Sequence, residues 1–162
     1  MKKLLISLSI IFSILGYSMF SHANHGPYDP ERDPFQDFKN AQIEASRDNK
    51  FILIQVGGNW CSWCIKLERF FEKSPEIKAL RDEVFVVIKV NVSTDNYNEE
   101  FLSQMPEFEG YPFIIVTNQR GEVVNSLTSG NLEEGNGYSK SKFKEYFQFW
   151  RDADSQAGSE LF

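Results

Sequence analysis

Two cysteines, the only two in 162 residues, stand three apart in the stretch Gly57-Gly58-Asn59-Trp60-Cys61-Ser62-Trp63-Cys64. Before them runs Phe51 to Val56, a short, nearly continuous apolar segment rich in β-branched residues. It reads as a strand buried on both faces. After them the pattern turns helical: Cys64, Leu67 and Phe71 fall at i, i+3 and i+7 on an inward face, and Lys66, Arg69 and Lys73 turn to water. A cysteine pair at a strand-to-helix junction points to redox chemistry. A helix beginning at the first cysteine aims unsatisfied N–H groups and the positive end of its dipole at Cys61. That favours the thiolate, the nucleophile in disulfide exchange. Cys64, one turn further along, is in reach to close a disulfide with it. By the same periodicity Cys64 is the buried thiol and Cys61 lies near the helix mouth.

Four plainer readings of the pair are weaker. A structural zinc site needs four Cys or His ligands, and the two histidines, His22 and His25, both lie near the N-terminus. Covalent haem attachment needs a histidine directly after the second cysteine, where this chain has Ile65. A purely structural disulfide across so short a loop gains only about 2 kcal/mol in the chain-entropy model. Two reduced core cysteines would tend to pair in an oxidising compartment.

The N-terminus points to such a compartment. Met1-Lys2-Lys3 is a basic start, Leu4 to Leu15 an apolar core interrupted by serines, and Ser21-His22-Ala23 a small-x-small cleavage site. Residues 1–23 therefore read as a signal peptide of bacterial style, cut after Ala23, which puts the mature chain in a periplasm or outside the cell. The apolar core falls short of the ~20 residues a spanning helix needs, so no stable membrane anchor is expected after cleavage. The mature chain keeps 15 basic residues against 23 acidic ones, a formal charge of −8. So acidic a surface argues against nucleic acid as a partner. Residues 24–162 suffice for a single domain, with its core over about 33–151.

Residues 24–32, with Pro27 and Pro30, read as an extended leader. Asp33-Pro34-Phe35-Gln36 is a helix start, with Asp33 as N-cap, Pro34 at the first position and Gln36 placed to close a capping box. Phe38, Ala41, Gln42 and Ala45 form one face, and Asn49-Lys50 ends the element. Ser74-Pro75-Glu76 restarts or kinks the helix after the cysteines, with Ser74 as cap, and that helix runs to about Arg81. Val84 to Val92 is the second buried strand, so a parallel βαβ unit is the default. Asn96 to Gln104 predicts a short helix. Pro112 to Thr117 and Glu122 to Leu127 predict an antiparallel hairpin about Asn118-Gln119-Arg120-Gly121. Ser129 to Ser139 reads as a loop, Phe143, Phe147 and Trp150 mark a closing helix, and the tail from Asp152 reads as loose.

The order strand, Trp-Cys-x-x-Cys, helix, strand, then Gly110-Tyr111-Pro112 before a hairpin resembles the thioredoxin superfamily. Within it the chain is most similar to secreted thioredoxin-like proteins that carry a Lys-x-x-Leu strand, Gly-x-x-Trp-Cys-x-x-Cys-x-x-x-Glu and a Pro-Glu-Ile helix. The matching residues are Lys50, Leu53, Gly57, Trp60, Cys61, Cys64, Glu68, Pro75, Glu76 and Ile77. The resemblance covers about Asp33 to Trp150. It implies an α/β thioredoxin-like fold, a central mixed four-stranded sheet made of a βαβ unit and a ββα unit with flanking helices.

The resemblance also implies that Cys61 attacks, Cys64 resolves, and Pro112 is a cis-proline whose loop presents backbone to an extended substrate chain. Trp60, Trp63, Tyr111 and Pro112 are then the substrate-binding residues, and Gln55 and Ser62 support the site. Two departures stand out. Gln55 occupies the place, six residues before Cys61, where thioredoxins keep a buried acid, and an amide cannot carry a proton. The intervening dipeptide Ser62-Trp63 has no imidazole to stabilise the Cys61 thiolate. Glu68, on the exposed helix face, would oppose that thiolate if it pointed there. The expectation is a periplasmic thiol-disulfide oxidoreductase acting on protein thiols and disulfides with a redox partner protein, without cofactor or metal, and leaning to reductase or isomerase. The alternative is a binding module that docks unfolded chains or one partner through Trp60, Trp63, Tyr111 and the Pro112 loop. The sequence leaves the oligomeric state open.

Overall fold

A computed structural model describes residues 26–159, with side chains to Ala153. The expected signal peptide and its cleavage point lie outside the described residues. Helix α1 (Pro34–Asp48) opens on Asp33, whose carboxylate accepts from the backbone N–H groups of Phe35 and Gln36. The capping box does not close, because the Gln36 amide runs forward to Asn40 at 2.9 Å. Asn49, at φ 51°, ends the helix in the left-handed region that asparagine tolerates.

Strand β1 (Phe51–Gly57) is the centre of the molecule, buried at every position after Phe51. It pairs in parallel with β2 (Phe85–Asn91) and antiparallel with β3 (Phe113–Thr117), which pairs antiparallel with β4 (Val123–Thr128). The sheet order is β2-β1-β3-β4. Between β1 and β2 lie α2 (Ser62–Glu72) and α3 (Pro75–Val84). Helix α3 runs on to Val84, past the expected end near Arg81. Ser74 makes no side-chain cap bond; it is buried, and its carbonyl takes the first helical N–H groups instead.

The expected helix over residues 96–104 shrinks to α4 (Glu99–Leu102). Asn98 stands at φ 51° and its side chain donates to the Asn91 carbonyl, so the backbone is held out of helical geometry until Glu99. The segment expected as a loop after β4 has structure of its own. A 3-10 turn over Ser129–Leu132 leads into a small ladder of β5 (Glu133–Glu134) with β6 (Gly137–Tyr138). Helix α5 (Lys140–Ser159) closes the fold and extends to Ser159, into the tail expected to be loose from Asp152. Among the described residues no helix is long and apolar enough to cross a membrane.

Alternation along β1 divides the core in two. Ile52, Ile54 and Val56 join Val86, Ile88, Val90 and Ile115 beneath Ala41 and Ala45 of α1. Leu53 joins Ile114 and Val116 on the other face, under Leu67, Phe71, Ile77, Phe143, Phe147 and Trp150 of α2, α3 and α5.

Candidate functional site

Cys61 is the N-cap of α2, with extended backbone (φ −83°, ψ 109°), and its Sγ accepts from the Cys64 N–H at 3.1 Å. It stands where Ser or Asp stands in an ordinary cap, so the sulfur receives a helix-terminal N–H in place of a hydroxyl or carboxylate oxygen. Cys61 and Cys64 form a disulfide across the first turn, with Cα atoms 5.2 Å apart. Cys61 is 6 % exposed and Cys64 1 %, so the helix mouth exposes only a small part of the first cysteine. Ser62, the first helical residue, is exposed beside it.

Two glycines let the pair sit this close to the sheet. A Cβ on Gly57 would stand 2.6 Å from Cys64 Sγ and 2.9 Å from both Cζ and Oη of Tyr28. One on Gly58 would stand 2.6 Å from the Val92 carbonyl oxygen. That carbonyl accepts the indole N–H of Trp60 at 2.6 Å, which fixes the ring while leaving it 61 % exposed.

Trp60 meets Tyr111 edge to face, with centroids 5.4 Å apart, and Tyr111 meets Phe108 in the same way. The Tyr111–Pro112 peptide bond is cis. The β1–β3 register pairs Val56 with Phe113, and its continuation sets Pro112 opposite Gly57 at the cysteine end of the sheet. The Pro112 carbonyl accepts from Ser129, tying this loop to the end of β4. Trp60, Tyr111 and Pro112 therefore share one side of the site. Trp63 turns instead onto Tyr138 of β6, edge to face at 5.5 Å, with Lys66 Nζ 4.0 Å from its ring centre. The Tyr138 hydroxyl donates to the Trp63 carbonyl and lies 3.0 Å from Ser129 Oγ. Burial pushes that phenol up to about 12, so it stays a donor across the ordinary pH range.

Gln55 is buried on the α2 face of β1, and its Nε2 has no hydrogen-bond partner. Its register neighbour Lys89 forms an ion pair with Glu68 at 2.6 Å. Glu68, expected on the exposed helix face, is half-buried and its carboxylate is paired with Lys89, because β2 supplies a cation across from α2.

Sequence reasoning missed Tyr28 and Asn59. The expected extended leader is folded back onto the site, and Tyr28, 2 % exposed, packs against Cys61 and Cys64. Asn59 holds it by both ends of its amide: Oδ1 accepts from the Tyr28 N–H at 3.1 Å, and Nδ2 donates to the Tyr28 carbonyl at 2.6 Å. The one signal in the sequence was a lone aromatic between the leader's two prolines, and periodicity cannot interpret a single residue.

The model of the thioredoxin-like family matches residues 33–118. Among solved structures, a disulphide isomerase from Xylella fastidiosa Temecula1 is 27 % identical, with 75 % of this chain and 94 % of that one covered at a TM-score of 0.65. The oxidised C-terminal domain of DsbD from Neisseria meningitidis is 16 % identical over 74 % and 95 % of the two chains, at a TM-score of 0.53. A poplar thioredoxin h is 17 % identical over 77 % and 95 %, at 0.51. Among curated proteins no relative matches. The family match spans the cap, the cysteine pair and the Pro112 loop, and on that ground the chain belongs to the thioredoxin-like family.

Proposed function

We propose that the protein is a periplasmic thiol-disulfide oxidoreductase acting on protein disulfides, with Cys61 as attacking and Cys64 as resolving cysteine. One observation carries this reading: the only two cysteines are disulfide-bonded across the first turn of α2, with Cys61 Sγ on a helix-terminal N–H and Cys64 buried behind it. The similarity to a structure described as a disulphide isomerase supports it. In the reduced protein the Cys61 thiolate attacks one sulfur of a substrate disulfide, and the substrate's other sulfur leaves as a thiolate that takes a proton. Cys64 then attacks Cys61 Sγ and releases the second substrate sulfur, which ends as a thiol carrying the Cys64 proton. The protein is oxidised by two electrons and the substrate reduced by two, and a partner protein's thiols return the pair to the dithiol. In an isomerase the substrate's own thiolate attacks the mixed disulfide before Cys64 does.

Trp60, Tyr111 and the Pro112 loop offer the substrate chain an aromatic rest, with Trp63 on the adjoining side. Export removes residues 1–23, leaving residues 24–162 as a single domain. Between the cysteines stand Ser62 and Trp63, neither of them cationic, which favours a reductase or isomerase over a strong oxidant.

A redox titration in thiol buffers, followed by Trp60 and Trp63 fluorescence, tests the direction. The expected potential lies nearer about −270 mV than about −120 mV, and a value above roughly −150 mV would make the protein an oxidase. Turnover of a model disulfide should fall to background in Cys61→Ser. A wild-type protein with no more turnover than that variant would instead be a binding module that docks chains through the exposed Trp60, the half-buried Trp63 and Tyr111, and the Pro112 loop.

A further inference from the structure

The space behind Cys64 is filled by a side chain from outside the sheet and helices. We propose that Tyr28 is the hydrogen-bond donor that holds the Cys64 thiolate as it resolves the mixed disulfide, an inference that rests on the disulfide-exchange reading. The Tyr28 hydroxyl and Cys64 Sγ converge on one point, 2.9 and 2.6 Å from the place where a Cβ on residue 57 would stand. Gly57 keeps that point free, so no side chain from β1 separates the two groups.

Resolution requires a thiolate at Cys64, and a buried thiol resists ionisation unless something offers the charge a hydrogen bond. The nearby groups do not serve as a base. Gln55, on β1, is a neutral amide. Glu68 of α2 is engaged by Lys89 of β2. Tyr138 of β6 is committed to Trp63 and Ser129. Tyr28 is the donor whose hydroxyl stands with Cys64 Sγ about the position of Gly57. Burial first, then the charge of Glu68 and the neighbouring Tyr138, pushes its pKa up, so it remains protonated. It donates without transferring: Cys64 gives its proton to solvent and attacks Cys61 Sγ, the S–S bond between Cys61 and substrate breaks as the Cys61–Cys64 bond forms, and the leaving substrate thiolate takes a proton back.

The mount is built for placement. Asn59, two residues before Cys61, grips the Tyr28 backbone on both sides, and Asn96 Nδ2 donates to the Pro30 carbonyl at 2.9 Å. A Cβ on Gly26 would stand 2.5 Å from Asn59 Oδ1, so the leader must pass this point without a side chain. The leader thus acts as a strap whose one buried residue among those described, Tyr28, delivers a phenol to the resolving cysteine.

Tyr28→Phe removes the hydroxyl and keeps the ring. In a Cys61→Ser background, thiolate absorbance against pH reads the Cys64 pKa directly. Tyr28→Phe should raise it by about one unit, equivalent to about a tenfold loss of thiolate near neutrality. In the protein with both cysteines, resolution of a preformed mixed disulfide should slow by about the same factor at neutral pH and recover in alkali. Alkylation of Cys61 in the reduced protein should not change. An unaltered Cys64 pKa overturns the proposal and leaves Tyr28 a packing residue. Should Tyr28→Phe fail to accumulate folded, Asn59→Ala loosens the same mount with the hydroxyl retained. It should shift the Cys64 pKa upward by a smaller amount, and no shift overturns the proposal. Absence of turnover in the wild type would sink the oxidoreductase reading, while the Cys64 titration still judges Tyr28.

Discussion

The two faces of the four-stranded sheet are made from the same strands, yet they bury different chemistry. The α1 face is aliphatic from Ile52 through Val56 and Val86 through Val90, closed by two alanines that let the helix lie near the strands. The opposite face begins as an aromatic stack, where Phe71, Phe85, Phe143, Phe147 and Trp150 meet one another at centroid distances of 5.2 to 6.5 Å. Towards the cysteines that face turns polar, with Gln55, the Lys89–Glu68 pair and the Tyr28 hydroxyl. One side of the sheet is therefore apolar throughout, with Tyr111 of the site packed against its edge. The other changes from cohesion to chemistry along a single strand, and polar groups there are retained at a cost in stability that an apolar core would not carry.

The contrast can be broken by paired core truncations. Phe143, fully buried and in ring contact with Phe70, Phe71, Tyr138 and Phe147, should cost about 3–5 kcal/mol as Phe143→Ala. Ile54→Ala on the α1 face should cost about 2–5 kcal/mol. Denaturant titration measures both. Only Phe143→Ala should also shift Trp63 emission, because Tyr138 links Phe143 to Trp63. An equal shift in Ile54→Ala would mean that the two faces are not separate.

A smaller effect is expected where the chemical face carries charge. Glu68→Gln leaves the Lys89 amine without its carboxylate at a side chain 24 % exposed, a loss of roughly 1–2 kcal/mol after allowing for remaining solvent. Glu68→Gln combined with Lys89→Met should recover most of it. A double-mutant cycle with no coupling would show that the pair is incidental to the fold.

The smallest effect lies away from both faces. Burial pushes the Asp82 carboxyl up, but hydrogen bonds from Lys78 and Arg81 outweigh it and hold the group below the usual carboxylate range. A depressed carboxyl contributes stability that is fully present above its unfolded value and fades as pH falls through the folded one. Asp82→Asn should lower the unfolding midpoint slightly at neutral pH, and the difference should close on acidification. A difference that stays constant with pH would assign the effect to packing.

Much of this was legible in the chain. Asp33-Pro34 set the start of α1, since a carboxylate cap and a proline at the first position are local signals. The apolar run at residues 51–56 and the spacing of Cys64, Leu67 and Phe71 gave β1 and the inward face of α2, because burial imposes periods that neighbouring residues carry. The cysteine pair was legible for the same reason: a disulfide between residues 61 and 64 needs only one helical turn.

Other features depend on residues far apart in sequence. The cap at Ser74 and the capping box at Gln36 were both plausible from their neighbours. Each side chain found another situation once packed: Ser74 was buried, and Gln36 turned to Asn40. The partner of Glu68 was not readable, because Lys89 lies 21 residues away on β2 and only the tertiary packing brings it across. Tyr28 was unreadable because a leader has no period of its own; its position comes from Asn59, 31 residues on. What the sequence by itself determined is where a thiol pair would sit on a strand–helix junction, since that follows from local spacing. What only the tertiary structure decided is what surrounds the second sulfur, since that environment is assembled from the leader and β1, and no local rule couples them.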